Sequence, residues 1–390
     1  MHVTVVTAFP ELFEGVLSTS ILGRAVREGL VEADVLDLRQ FGKGGYRQID
    51  DYAFGGGGMV LAAPQLEAAL DDVRARSASE PFVVSTSPQG ALLTQEIVET
   101  LALQRHVVIF CGHYEGMDER FVEREVDLEV SIGDCVLTGG EIPAMAIIDA
   151  MARLVPGVVG SGEAVVEDSF YRGMLDHPHY TRPASWEGIE APDVLLSGDE
   201  AEILEWRRGK AVERTLARRP DLLARASIRG HVGGGVYAAI LAEGPTDEET
   251  LCALPSLCRA YGMGRPSLIV TAPERRRALA LPPALAEDAL RPKAFGSVAR
   301  AREWIAGHER GRRPLTVEVL SRPQEGALHW LEAKRRCLTH RGPVLFLFPD
   351  EEAQGPREEG AVRMWISWDA GAPTLIARMA IALDRALGGR

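Results

Sequence analysis

Cysteine is scarce in this chain, long apolar runs are missing, and the usual nucleotide-binding fingerprints are absent. Its five cysteines, Cys111, Cys135, Cys252, Cys258 and Cys337, are odd in number, widely spaced and never in a CxxC. That pattern disfavours a disulfide framework or a structural zinc site and points to reduced thiols. No run of about 18 apolar residues occurs, so no membrane-spanning helix and no membrane partner are expected. Met1-His2 leads directly into Val3-Thr4-Val5-Val6, without the basic region and cleavage site of a secretory signal. The expected location is cytoplasmic. Neither GxGxxG nor GxxxxGK(S/T) is present, which removes the ordinary dinucleotide and nucleoside-triphosphate signatures.

What is present suits a globular protein. The 390 residues are 46% hydrophobic and 25% charged, enough to bury a sizeable core. At about 150 residues per domain the length predicts two or three domains. The net charge of −13 argues against a nucleic-acid partner only if it is evenly spread. Residues 1–160 carry 11 basic and 24 acidic side chains, residues 161–230 carry 10 and 13, and residues 231–390 carry 22 and 19. From Trp206 to Arg229, eight basic residues (Arg207, Arg208, Lys210, Arg214, Arg218, Arg219, Arg225 and Arg229) face only Glu213 and Asp221. A global balance therefore hides a basic patch.

Apolar β-rich runs alternate with helical patterns over the first 155 residues, the signature of an α/β domain with a parallel sheet. Strands are predicted near Val3–Ala8, Val35–Leu38, Phe82–Thr86, Val107–Cys111 and Glu129–Ile132, and helices over Glu11–Glu28, Pro64–Arg76, Thr94–Leu103 and Gly140–Leu154. Pro156-Gly157 breaks the last helix, and residues 157–175 read as a linker. Gly198–Arg225 is helical in pattern, with Asp199 placed to cap and Pro220-Asp221 marking a second start. Glycines at 230–235 mark a further boundary. Beyond it Ser267–Thr271, Leu315–Leu320 and Val344–Phe348 look like buried strands and Thr374–Leu387 like a terminal helix, so the α/β theme recurs.

Three glycine-rich stretches punctuate the first domain, at 54–59, 111–116 and 131–141. The latter two follow predicted strands, where open α/β sheets bind ligands and glycine lets backbone approach them. Each alone reads more readily as a tight turn between strand and helix; their concentration on one side of one sheet shifts the balance toward a site. Asp168, in Glu167-Asp168-Ser169-Phe170, is a solvated or capping carboxylate unless burial against a partner makes it a general base. Arg153 could favour a helix dipole or hold developing negative charge. His177, His179 and Asp176 lie close enough in sequence to suggest a metal site, but the two histidines at i, i+2 around Pro178 are a loop pair with no third ligand of obvious spacing, and no metal is expected there.

These features together resemble the bacterial tRNA (guanine-37-N1)-methyltransferases of the knotted SPOUT superfamily, over nearly all of the first 225 positions. The resemblance is carried by Ala8-Phe9-Pro10-Glu11-Leu12-Phe13, Gly23-Arg24-Ala25-Val26, Ile49-Asp50-Asp51, the 55–59 glycines, Ser87-Pro88-Gln89-Gly90 and Gly116-Met117-Asp118-Glu119-Arg120. It continues through 131–145, Arg153-Leu154-Val155-Pro156-Gly157-Val158, Glu167–Phe170, His179-Tyr180-Thr181-Arg182-Pro183 and 194–198. It implies an α/β SPOUT parallel sheet with a deep trefoil knot, a homodimer with composite active sites, and S-adenosylmethionine held by Thr86, Ser87, Pro88, Gly112, Ile132, Gly133, Asp134, Cys135, Val136, Leu137, Gly139 and Gly140. By the same resemblance Asp168 is the base that removes the guanine N1 proton and Arg153 offsets charge on O6. Glu115 is an auxiliary carboxylate linked to a magnesium ion. Position 113 departs from the pattern, with His where Arg is expected, and the glycine run is one residue short.

The implied organisation is a knotted cofactor domain at 1–160, a linker carrying the base at 161–175 and a helical tRNA-binding domain at 176–230. There His179, Arg182, Arg207, Arg208, Lys210 and Arg214 would grip the anticodon arm; no DNA is expected. Through Val236-Tyr237-Ala238-Ala239-Ile240-Leu241, Cys258-Arg259-Ala260-Tyr261-Gly262-Met263, Val270-Thr271-Ala272-Pro273 and Leu383-Asp384-Arg385-Ala386-Leu387, residues 236–390 resemble, more loosely, a second SPOUT-like RNA methyltransferase module. Where that module would want glycines, this chain has Pro349-Asp350-Glu351-Glu352-Ala353-Gln354, so the module is expected to be degenerate and to bind no cofactor. The alternative function is a catalytically silent RNA-binding or regulatory dimer that retains the fold.

Overall fold

The structure is a computed structural model. It describes residues 1–160, 168–170, 173–229, 231–242, 247–273, 276, 285, 291–350, 360–366 and 374–388. Two compact units divide the chain, Met1–Glu167 and Asp168–Arg390.

In the first unit β1 (His2–Thr7), β2 (Glu32–Asp37), β5 (Phe82–Leu92), β6 (His106–Cys111) and β7 (Leu128–Ser131) form one parallel sheet in the order β2-β1-β6-β5-β7, and β3 (Asp50–Tyr52) pairs with β4 (Met59–Leu61) as a separate hairpin. Alternate residues of the sheet feed two cores, because successive side chains of a strand point to opposite faces. Val3, Val5, Val84, Val107 and Ile109 enter one, and Val6, Val83, Val108 and Phe110 the other. Burial on both faces explains why these strands read as near-continuous apolar runs.

The expected single helix over Glu11–Glu28 is three pieces: a 3-10 turn at Pro10–Phe13, α1 (Glu14–Ser18) and α2 (Ser20–Arg27). The break falls at Thr19, whose backbone is extended and whose hydroxyl donates to the Gly15 carbonyl at 2.6 Å. Gly23 makes the break possible, since a Cβ there would lie 2.3 Å from the Ser18 carbonyl carbon. The remaining helices of this unit are α3 (Ala63–Arg76), α4 (Gln95–Ala102, capped by the Thr94 hydroxyl), α5 (Glu119–Glu125) and α6 (Glu141–Ala152). The linker expected at 161–175 lies partly outside the described residues, including Glu167.

The second unit opens with a small hairpin of β8 (Ser185–Trp186) and β9 (Ile189–Glu190). Its long helix, Glu200–Arg218, is capped by the Asp199 carboxylate, which accepts from the Ala201 and Glu202 amides. Its sheet is parallel, in the order β12-β11-β10-β15-β13-β16-β14, from β10 (Val236–Ala242), β11 (Leu268–Thr271), β12 (Lys293–Phe295), β13 (Leu315–Leu320), β14 (Leu328–His329), β15 (Val344–Pro349) and β16 (Val362–Trp365). With the edge strands β12 and β14 set aside, both sheets place their strands second, first, fourth, third and fifth in chain order. The α/β theme is therefore repeated with one topology. Met174, Val212, Leu223 and Ile228 pack in the same hydrophobic cluster as Ile240, Val317, Phe346 and Leu383, so the long helix and this sheet share a core.

Candidate functional site

Three neighbouring strands of the first sheet open at the same edge, β6 and β7 by ending and β5 by a bulge, where ligands of open α/β sheets bind. Strand β5 loses register with β7 between Thr86 and Ala91, and residues 87–90 loop out. Gly90 is needed there because a Cβ would lie 2.5 Å from the Glu129 carbonyl carbon. The Thr86 hydroxyl donates to the Phe110 carbonyl and accepts from the Gly112 amide, each at 3.3 Å. The Gly140 amide donates to the Gly112 carbonyl at 2.7 Å, and His113 bridges Gly139 in antiparallel fashion. A Cβ on Gly140 would come within 2.0 Å of Thr86 Oγ1 and 2.6 Å of the Gly112 nitrogen. The three loops thus close on one another by backbone, with no space for a side chain at the junction.

The glycine run at 55–57 is the turn of the β3–β4 hairpin, with φ of 86°, 94° and 123°. The hairpin is stitched to the loop after β6: Leu61 donates to Gly116 O, Asp118 to Leu61 O and Glu115 to Met59 O. Gly58 makes room for the Glu115 side chain, since a Cβ would lie 2.6 Å from Glu115 Oε1. His113 sits between the rings of Phe9 and Tyr114, at 4.9 and 4.6 Å, and its Nδ1 is buried without a hydrogen-bond partner among the described residues. Burial and the adjacent Asp50 carboxylate raise the Tyr114 hydroxyl pKa.

Between these loops lies a cavity of about 210 Å³. Of the residues expected around the cofactor, Thr86, Ser87, Pro88, Gly112, Ile132, Cys135, Val136, Leu137, Gly139 and Gly140 line it; Gly133 and Asp134 do not. Glu115 is on the wall beside His113 and Tyr114. Arg153 is exposed at the carboxyl end of α6, and Asp168, first residue of the second unit, is exposed. Sequence reasoning missed Glu141. It is buried at the start of α6, accepts from the Thr7 hydroxyl at 2.8 Å, and would meet a Cβ on Gly139 at 2.4 Å. Burial, with this carboxylate nearby, pushes the Cys111 thiol well above its ordinary pKa. An acid directly after Gly139-Gly140 was the only signal for it.

In the second unit Asp176 is bonded to His177 Nδ1 at 2.5 Å and to His179 Nε2 at 2.7 Å. Burial alone would raise its carboxyl pKa, but the bonds from His179 and His177 hold it below the usual carboxylate range. Ligand atoms of the three lie within 4.8 Å of one another, each imidazole already engaged by the carboxylate. His179, Arg182, Arg207 and Arg208 are exposed, Arg214 is half-buried, and Lys210 is ion-paired to Glu213 at 2.7 Å. Trp206 lies edge-on to His177 and near Tyr180.

The family model described as tRNA (guanine-1)-methyltransferase TrmD matches residues 1–225. The chain belongs to this family. A tRNA (guanine-N(1)-)-methyltransferase of Moorella thermoacetica is 50% identical over 230 residues, 58% of this chain and 92% of the relative. Those of Bacillus subtilis and Chloroflexus aurantiacus are 47% and 50% identical over 224 and 231 residues, covering 57% and 59% of this chain and 92% and 91% of theirs. All three matched stretches are far shorter than the 390-residue chain.

Proposed function

We propose that the protein transfers a methyl group from S-adenosylmethionine to N1 of guanosine 37 of tRNA, beside the anticodon. The observation that carries this reading is the coincidence of the matched family region with a cavity built from the bulge of β5 and the loops after β6 and β7. The cavity suits the cofactor, because its junctions at Gly112, Gly139 and Gly140 exclude any Cβ and leave amides and carbonyls to meet adenine and ribose. When bound, the cofactor supplies an electrophilic methyl group.

Guanine N1 carries a proton at neutral pH, so a base must take it before N1 can attack; positioning and charge stabilisation supply the rest. Asp168 is that base, and the Arg153 guanidinium offsets the charge that appears on guanine O6. Glu115 serves as an auxiliary carboxylate for a magnesium ion. We propose a trefoil knot around the loops joined at His113–Gly139, and a homodimer in which one chain's Asp168 serves the cofactor of its partner. Leu12, Ile21, Val136 and Ile142, all large and exposed on the first unit, favour a second copy as their cover. In functional terms the chain divides into the cofactor domain, a linker, an RNA-gripping segment at 176–230 and a degenerate module at 236–390. No helix among the described residues is long and apolar enough to cross a membrane, and the tRNA substrate favours a cytoplasmic location.

Unmodified tRNA incubated with the dimer and cofactor should gain 1-methylguanosine at position 37; folded, dimeric protein that forms none sinks the enzyme reading. Asp168→Ala should lower turnover by about 10²–10⁴-fold, the span ordinary for a general base, with cofactor affinity largely kept. Loss of both together contradicts the base assignment.

A further inference from the structure

The second unit carries basic residues outside the helix that tRNA recognition would use. Helix Val298–His308 ends at Glu309, and Arg310 and Gly311 then turn the chain through left-handed backbone, with φ of 54° and 80°. The turn presents Arg310, Arg312 and Arg313 to solvent before β13 begins. Glu309, the one acid of 308–313, is already committed: it accepts from the Tyr237 hydroxyl at 2.6 Å and pairs with Arg265 at 2.9 Å. Arg312 donates to the Gly233 carbonyl at 2.5 Å and lies 3.7 Å from Glu205 of helix Glu200–Arg218, which fastens the turn to that helix. His340 Nε2 bonds the Arg313 carbonyl at 3.2 Å, and the Arg341 carbonyl lies against Gly233, so a second turn carrying Arg341 joins the same place.

Arg310, Arg313 and Arg341 are exposed and have no carboxylate partner among the described residues; the same holds for Arg207 and Arg208, and Arg208 is one helical turn from Glu205. Glu200 and Glu202 lie a turn or more away, at the start of that helix. Isolated exposed arginines are ordinary. Four on one joined surface, Arg208, Arg310, Arg313 and Arg341, in a chain of net charge −13, with the adjoining carboxylates Glu205 and Glu309 already paired, call for an anionic occupant. Guanidinium forks match phosphate oxygens in geometry as well as charge.

We propose that the turns at 310–313 and 340–342 form a phosphate-binding surface that continues the basic helix onto the C-terminal module, and that its ligand is the ribose-phosphate backbone of the tRNA. The proposal rests on the tRNA reading above and gives the C-terminal module a part in substrate binding, where that reading gives it none. No base is read there, so the surface adds affinity without selecting among tRNAs.

The test replaces Arg310, Arg313 and Arg341 together by glutamine in the full-length chain. Rates of 1-methylguanosine formation and tRNA binding are followed across a potassium chloride series. The KM for tRNA should rise about tenfold at unchanged kcat, and the slope of log affinity against log salt should shrink by about two, at roughly 0.7–0.9 for each phosphate no longer neutralised. A control triple, Arg105→Gln, Arg291→Gln and Arg300→Gln, should leave both as they were. Unchanged KM and slope in the first triple, an equal change in the control, or a fall in kcat alone overturns the proposal. Cross-linking of wild-type protein to 4-thiouridine-substituted tRNA, mapped by mass spectrometry, reads the surface without any variant: adducts on the peptides holding 310–313 or 341 are expected, and their absence overturns it. If the wild type binds and cross-links tRNA here but forms no 1-methylguanosine, the enzyme reading fails and the surface stands.

Discussion

Strand β6 of the first sheet and β15 of the second are six-residue strands buried along their whole length, each fourth in chain order among the five shared strands of its sheet. They end differently. After β6 comes Gly112, whose carbonyl accepts from the Gly140 amide just before α6, and a cavity remains among the loops. Strand β15 closes on Pro349, with Asp350 next, and helix Leu375–Leu387 reaches the strand end through a side chain: the buried Arg378 guanidinium donates to the Pro349 carbonyl at 2.8 Å. On the neighbouring strands Glu318 of β13 and Arg363 of β16 lie 3.6 Å apart with almost no exposure. One topology thus holds a glycine-lined opening in one unit and buried charge in the other. A parallel sheet offers a site at its strand ends only if small residues keep it open.

The comparison breaks first on stoichiometry. Calorimetry with S-adenosylmethionine should give one site per chain; two would mean that the second sheet binds cofactor despite Arg378. Next, Arg363→Met removes the guanidinium beside buried Glu318 and should cost about 3 kcal/mol in chemical denaturation of the second unit, with cofactor affinity unchanged. Gly140→Ala acts on the first unit alone. Its methyl group has no room beside Thr86 Oγ1, so a loss of about 1–3 kcal/mol and at least tenfold weaker cofactor binding are expected; wild-type affinity would show that the loop junction tolerates side chains. The smallest effect concerns His106, bonded to Thr4 and Ser77 hydroxyls and stacked on His2. Burial, helped by His2, lowers its pKa from the ordinary 6.5 to about 4. Below pH 6.5 the unfolded chain takes up a proton that the folded chain refuses. Stability should therefore fall between pH 6.5 and 4, by on the order of 2 kcal/mol after allowance for solvent screening, and His106→Gln should flatten that fall.

Strands of the first sheet were legible because burial on both faces writes an apolar run that nothing polar interrupts, as in Val107–Cys111. The 200–218 helix was legible from its cap, Asp199. The break at Thr19 was not, because Glu11–Glu28 keeps helical spacing throughout and the only hint, Gly23, acts through a contact with Ser18 that exists after folding. Nor was α5, seven residues behind an Asp118 cap, too short for a period to show. At the site, the glycine loops announced themselves by composition, whereas Glu141 did not, since its bond to Thr7 joins positions 134 residues apart. The glycine run at 55–58 was visible, but its use as a hairpin turn that seats Glu115 needed the fold.

The shared core of the second unit has a consequence for how the chain is made. Met174, Val212, Leu223 and Ile228 leave the ribosome early, yet their neighbours in that core include Met379 and Leu383, and the Ile228 amide bonds the carbonyl of Ala386. At roughly 5–20 residues per second, some 160 further residues take on the order of 10–30 s to synthesise. Through that interval the early apolar side chains lack the share of their cover that Met379 and Leu383 supply. The segment proposed to grip tRNA would thus be finished only when helix Leu375–Leu387 arrives, and a protein cut short before that helix would lose more than the helix itself.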